Sequence, residues 1–133
     1  MERAQAAARV ADLNRARDIA IIDLREITPV FDFFVLATGS SRRQLHAIAE
    51  EIDLLLRKQF GDRRMGLEGY EDSRWILLDF GDVVIHLFDE ETREYYDLEH
   101  LWAGAKRIPY VSSDLPAVEN LAAADDSADS DES

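Results

Sequence analysis

The chain has 133 residues, no cysteine, and 28 acidic against 15 basic residues, for a net charge of −13. That length suits one domain around one core. The absence of cysteine excludes disulfides, thiolate zinc sites and a cysteine nucleophile, and fits a reducing compartment. The charge is uneven: residues 1–60 balance nine acids with nine bases, residues 61–110 hold twelve acids and six bases, and residues 111–133 hold seven acids and no base. A surface of this sign favours solubility and disfavours nucleic acid as the main contact, because phosphate backbones select stripes of Lys and Arg. It is compatible with a basic protein partner. No run of about 18 apolar residues occurs, so no membrane span is expected. The charged N-terminus lacks the apolar centre of a signal peptide.

In chain order, residues 2–17 are rich in Ala and Arg, with Ala6, Val10, Leu13 and Arg17 at helical spacing, and predict a first helix. DIAIIDLREI predicts a strand over Ile19–Leu24, and Thr28-Pro29 breaks it. FDFFVLATG predicts a second strand over Phe33–Thr38. Ser41 and Gln44 then match a capping box, and Leu45, Ile48, Ala49, Ile52, Leu55 and Leu56 form one helical stripe. Gly61 stands where a C′ glycine stops a helix. A short edge strand is expected around Met65–Leu67. Asp89 is a candidate N-cap for a last helix with Leu98, Leu101 and Trp102 as its apolar stripe. One of Tyr95 and Tyr96 is expected in the core and the other exposed. Residues 1–110 read as an α/β domain with a mixed sheet packed by helices; residues 111–133 read as an acidic, disordered tail.

The stretch RWILLDFGDVVIHLF reads as a hairpin turning at Gly81-Asp82. Pairing Phe80 with Val83 puts Ile76, Leu78, Phe80, Val83, Ile85 and Leu87 on one wholly apolar face, which must lie on the capped helix. The other face holds Trp75, Leu77, Asp79, Val84, His86 and Phe88, with Trp75 opposite Phe88, Leu77 opposite His86 and Asp79 opposite Val84. Two readings of that mixed face compete. The first or last helix covers it as a second core layer, or part of it stays open to a partner, since Trp and Tyr are common interface anchors. His86 is correspondingly either a satisfied sheet histidine or a hydrogen-bond group for the partner.

The motifs that suggest chemistry are incomplete. Asp79-Phe80-Gly81 lacks every other kinase element and reads as a turn. Gly39-Ser40 before a helix is reminiscent of nucleotidyltransferases, but that reaction needs converging carboxylates on magnesium, and no Asp-x-Asp follows. Helix capping explains the Gly-Ser. His46, His86 and His100 have no metal-ligand spacing.

Two segments, FDFFVLATGSSRRQLHAIAEEI and GLEGYEDSRWILLDFGDVVIHLFDEETREYYDLEHLW, resemble the ribosomal silencing factor (Iojap-related) family over Ala16–Ala105. The resemblance implies a nucleotidyltransferase-like α/β fold without catalytic carboxylates, no enzymatic activity, no cofactor and no metal. It implies a cytoplasmic translation repressor active under nutrient limitation. Such a protein binds the large-subunit ribosomal protein numbered fourteen on the intersubunit face and blocks subunit joining, with a homodimer off the ribosome. Faces and family together nominate Trp75 and Leu77 as buried anchors, Glu68, Asp79 and Asp82 as acidic rim, and His86 and Tyr96 as hydrogen-bond groups. The alternatives are a large-subunit assembly factor using the same surface and, less favoured by the missing carboxylates, an active nucleotidyltransferase.

Overall fold

The computed structural model describes residues 1–110, so the tail expected over residues 111–133 lies outside the described residues. The elements run α1 (Glu2–Leu13), β1 (Arg17–Asp23), β2 (Phe33–Gly39), α2 (Arg42–Phe60), β3 (Gly66–Glu68), β4 (Trp75–Asp79), β5 (Val83–Asp89), α3 (Glu90–Tyr96), α4 (Leu98–Leu101) and β6 (Lys106–Ile108). One six-stranded mixed sheet has the order β3-β4-β5-β2-β1-β6. The β2–β5 pair is parallel and the other pairs are antiparallel.

One face of the sheet lies under α1 and α2. The α2 stripe is buried at all six expected positions, and Ser41 Oγ accepts from the Gln44 amide at 3.1 Å. The reciprocal bond of the capping box lands one residue early: Gln44 Oε1 accepts from the amide of Ser40, not of Ser41. Gly61 closes the helix in the left-handed region at φ 68°. Beside it, α1 buries Ala4, Ala6, Ala7, Ala8, Val10 and Ala11. Side chains this small let its backbone approach α2 and the sheet closely. Helix α1 is shorter than predicted. Arg15 takes φ 65° and ends it, so Leu13 is exposed and Arg17 starts β1. Periodicity carried the helix too far because an Arg at helical spacing is neutral between a helix end and a turn.

Arg3 ties this layer together. Its guanidinium binds both Asp62 oxygens at 3.1 and 2.9 Å, and donates to Asp82 in the β4–β5 turn at 2.6 Å. The hairpin register is the predicted one, with Trp75 opposite Phe88, Leu77 opposite His86 and Asp79 opposite Val84. Its first face, Ile76, Leu78, Phe80, Val83, Ile85 and Leu87, is buried in the α1/α2 core. Each such side chain contributes about 1.5–3 kcal/mol relative to exposure.

The opposite face carries a smaller cluster of Ala20, Ile22, Leu24, Phe34, Leu36, Val84, Phe88 and Leu98. Arg93 fastens its helical cover. The buried guanidinium donates to Thr38 Oγ1 at 2.9 Å and to both Glu99 oxygens at 3.0 Å, linking α3 to β2 and α4. That pairing holds the Glu99 carboxyl below the usual carboxylate range.

Candidate partner-docking face

Side chains on the second face fall into rows across the sheet. Glu68 on β3 stands opposite Leu77, which stands opposite His86, which pairs with Leu36. Along β5 the cover is complete: Val84, His86 and Phe88 are 3%, 4% and 0% exposed. Along β4 it is not, and Trp75, Leu77 and Asp79 remain half-buried. The last helical segment therefore covers part of the mixed face, through Leu98 and Trp102, and the first helix lies on the other side of the sheet. The helical cover expected of the first reading is thus complete over β5 and incomplete over β4.

Trp75 is fixed from behind. Its Nε1 donates to His86 Nδ1 at 3.1 Å. Its ring meets Phe88 at 5.0 Å and Tyr96 at 4.8 Å between centroids. Because Nδ1 accepts, this network assigns the imidazole proton to Nε2, a buried atom without a hydrogen-bond partner among the described residues. The imidazole instead has its neighbour in the Phe34 ring, 4.5 Å away and tilted 62°. Burial pushes the His86 pKa down to about 3, so the ring stays neutral and keeps accepting from Trp75. His86 was nominated as a group that bonds a partner; its burial places it behind the surface, as the residue that positions Trp75.

The other nominated residues divide. Glu68 is exposed beside Leu77, and Asp79, on the Trp75 face, accepts from the Gly81 amide at 2.8 Å and shapes the turn. Tyr96 lies against Trp75. It is 52% exposed and Tyr95 79%, so neither tyrosine enters the core, contrary to expectation: α3 turns both outward while Arg93 takes the inward position. Asp82 leaves the group. Arg3 holds it on the α1 side and lowers its carboxyl pKa. Charge alone had put Asp82 with the rim; the hairpin turn rotates it to the other face.

Two members of this face are not among the residues nominated from the sequence, although Trp102 belongs to the predicted stripe of the last helix. Phe31 and Trp102 are partly buried against the second cluster, with Trp102 edge-on to Phe34 at 5.9 Å and Phe31 5.2 Å from it. The Leu98–Trp102 spacing carried a signal for Trp102, although Leu101 of the same predicted stripe is 71% exposed. Phe31 sits in the loop after Pro29, where no periodicity could place it.

The arrangement suits apolar contact inside an acidic rim. The one serine–histidine contact of the described residues that could suggest nucleophilic catalysis does not support it. Ser73 Oγ is 2.8 Å from His46 Nε2, but both groups also reach the Tyr70 carbonyl oxygen, at 2.9 and 2.7 Å. A carbonyl only accepts, so Nε2 carries the proton and cannot take one from Ser73.

The family model for ribosomal silencing factor during starvation matches residues 1–133. The chain belongs to the ribosomal silencing factor family. It is 38% identical over 104 residues to the ribosomal silencing factor of Halalkalibacterium halodurans, covering 78% of this chain and 88% of that protein. It is 41% identical over 99 residues to the Bacillus subtilis factor, covering 74% and 83%. A mouse relative, mitochondrial assembly of ribosomal large subunit protein 1, is 39% identical over 91 residues, 67% of this chain and 40% of that protein. A Chromobacterium violaceum crystal structure superposes with TM-score 0.72 at 34% identity, covering 83% of this chain and 90% of that one. One from Bacillus halodurans gives 0.68 at 37% identity, covering 79% and 94%. Ribosomal silencing factors are ribosome-associated regulators of translation, and the fold seen here is theirs.

Proposed function

We propose that the protein docks through the open half of its second sheet face on a basic protein of the large ribosomal subunit, the one numbered fourteen, and so keeps the small subunit from joining. One observation carries this reading. After the chain's own helices seal β5, Trp75 and Leu77 of β4 stay half-exposed among Tyr96, Phe31 and Trp102. An aromatic anchor held rigid by a buried histidine loses little freedom when a partner covers it. Glu68 and Asp79 supply the acidic rim that orients a cationic partner and speeds encounter. A specific interface would bury about 800 Å² on each side. Exclusion of the small subunit then needs volume, not catalysis.

The mouse relative's name supports a second reading, that the same surface serves large-subunit assembly. A deletion strain separates the two: immature large subunits in rich medium indicate assembly, whereas normal subunits with poor starvation survival indicate silencing. Docking itself is tested by co-sedimentation with purified large subunits. Trp75→Ala should abolish it while the circular dichroism spectrum stays that of a folded domain. Glu68→Lys, at an exposed position that disturbs no packing, should weaken it with a salt dependence smaller than the wild type's. Wild-type co-sedimentation by both variants would refute this face as the docking surface.

A further inference from the structure

Beside Trp75 lies a surface groove of about 450 Å³, bounded by Asp72 and Arg74 on one side and Glu91, Tyr95 and Tyr96 on the other. We infer that this groove takes the cationic head of a single Lys or Arg side chain from the docking partner, held over Trp75 and Tyr96 between the Asp72 and Glu91 carboxylates. The inference rests on the docking reading above and extends it to residues outside the acidic rim already named.

Three features support it. The first is the groove's aromatic side. Trp75 and Tyr96 form an adjoining pair, 4.8 Å apart at 50°, and Trp is the best side-chain face for a cation. The second is charge without internal partners. Asp72 and Glu91 are exposed and make no ion pair or side-chain hydrogen bond among the described residues. Arg74 stands on the same rim and bonds neither acid, although all three line one groove.

The third is the rigidity of the segment that carries Asp72. Gly69 has φ 75°, and a Cβ there would come within 2.0 Å of the Trp75 carbonyl oxygen, so only glycine allows the chain to pass this close to the anchor. Ser73 has φ 62°, its amide bonds the Gly69 carbonyl at 2.9 Å, and its buried hydroxyl bonds the Tyr70 carbonyl and contacts His46. Tyr70 stacks on His46 with centroids 3.9 Å apart, and its hydroxyl donates to Glu50 on α2 at 2.5 Å. A surface loop fastened at this many points holds its acid in place before any partner arrives, which lowers the ordering cost of binding.

Arg74 makes the idea sharply testable, because a cation entering the groove is repelled by it. Affinity for purified large subunits is measured for Asp72→Asn/Glu91→Gln, Arg74→Gln and Trp75→Ala, with thermal melts confirming that each is folded. The expectation at low salt is about a fivefold weaker Kd for the double variant and about a twofold tighter one for Arg74→Gln, both differences shrinking as salt screens them. If the double variant binds like the wild type, or Arg74→Gln weakens binding, the groove does not take a cation. Should that happen while Trp75→Ala abolishes binding, the docking face stands and only this inference falls. Full binding by Trp75→Ala overturns both.

Discussion

The two faces of the β4–β5 hairpin differ in what meets them. On the α1/α2 side every inward residue is apolar and buried, and the neighbouring helices were legible from their own stripes. On the α3/α4 side the same strands alternate Trp75, Leu77 and Asp79 with Val84, His86 and Phe88, and the cover stops between β5 and β4. One face is shaped by folding alone. The other mixes a sealed half, which serves stability, with an open half rimmed by carboxylates. Neighbouring residues of one strand therefore meet different surroundings.

Leu78 and Leu77 give the largest expected contrast. Leu78 is fully buried against α2, so Leu78→Ala should cost about 2–5 kcal/mol, whereas half-buried Leu77→Ala should cost about 1 kcal/mol. Urea denaturation of both variants checks this, and equal losses would mean that the second face is as closed as the first. Arg93 comes next. Arg93→Met strands Glu99 with Arg107 alone and frees the Thr38 hydroxyl, at a cost of about 3 kcal/mol by the same measurement. A cost within experimental error would show that the α3/α4 cover does not depend on this pair.

His86 gives the smallest effect at neutral pH and a distinct pH signature. Its folded pKa lies near 3, below the ordinary value of 6.5, so between those limits the unfolded chain binds a proton that the folded chain refuses. Stability should therefore fall as pH drops from about 6.5 to about 5.5, a window above the range of the depressed Asp23 and Glu99 carboxyls. His86→Phe removes this slope and the bond that orients Trp75. A variant whose stability tracks the wild type across that window would contradict the assigned burial.

Much of this organisation was readable from residues because local signals agreed with one another. The Ser41 cap, the six-position stripe and Gly61 specify α2 independently of its surroundings. The Gly81-Asp82 turn fixes the hairpin register, and with it the membership of both faces. What escaped was set by distant parts of the chain. Asp82 was misplaced because its partner Arg3 lies 79 residues away. His86 could not be ranked as buried without knowing that the α4 segment and Phe34 close over β5. Phe31 and the Asp72 loop owe their positions to packing in irregular segments, where no period of side chains foretells a face.

The docking account is tested most directly by photo-crosslinking from single positions. A benzophenone side chain at Tyr96, beside Trp75, and another at Glu51, exposed on α2, are each irradiated with purified large subunits, and the attached protein is identified by mass spectrometry. The account predicts that position 96 captures the large-subunit protein numbered fourteen and that position 51 captures nothing specific. Capture of that protein from position 51 and not from position 96 would place the interface on the outer surface of the α1/α2 layer and contradict it.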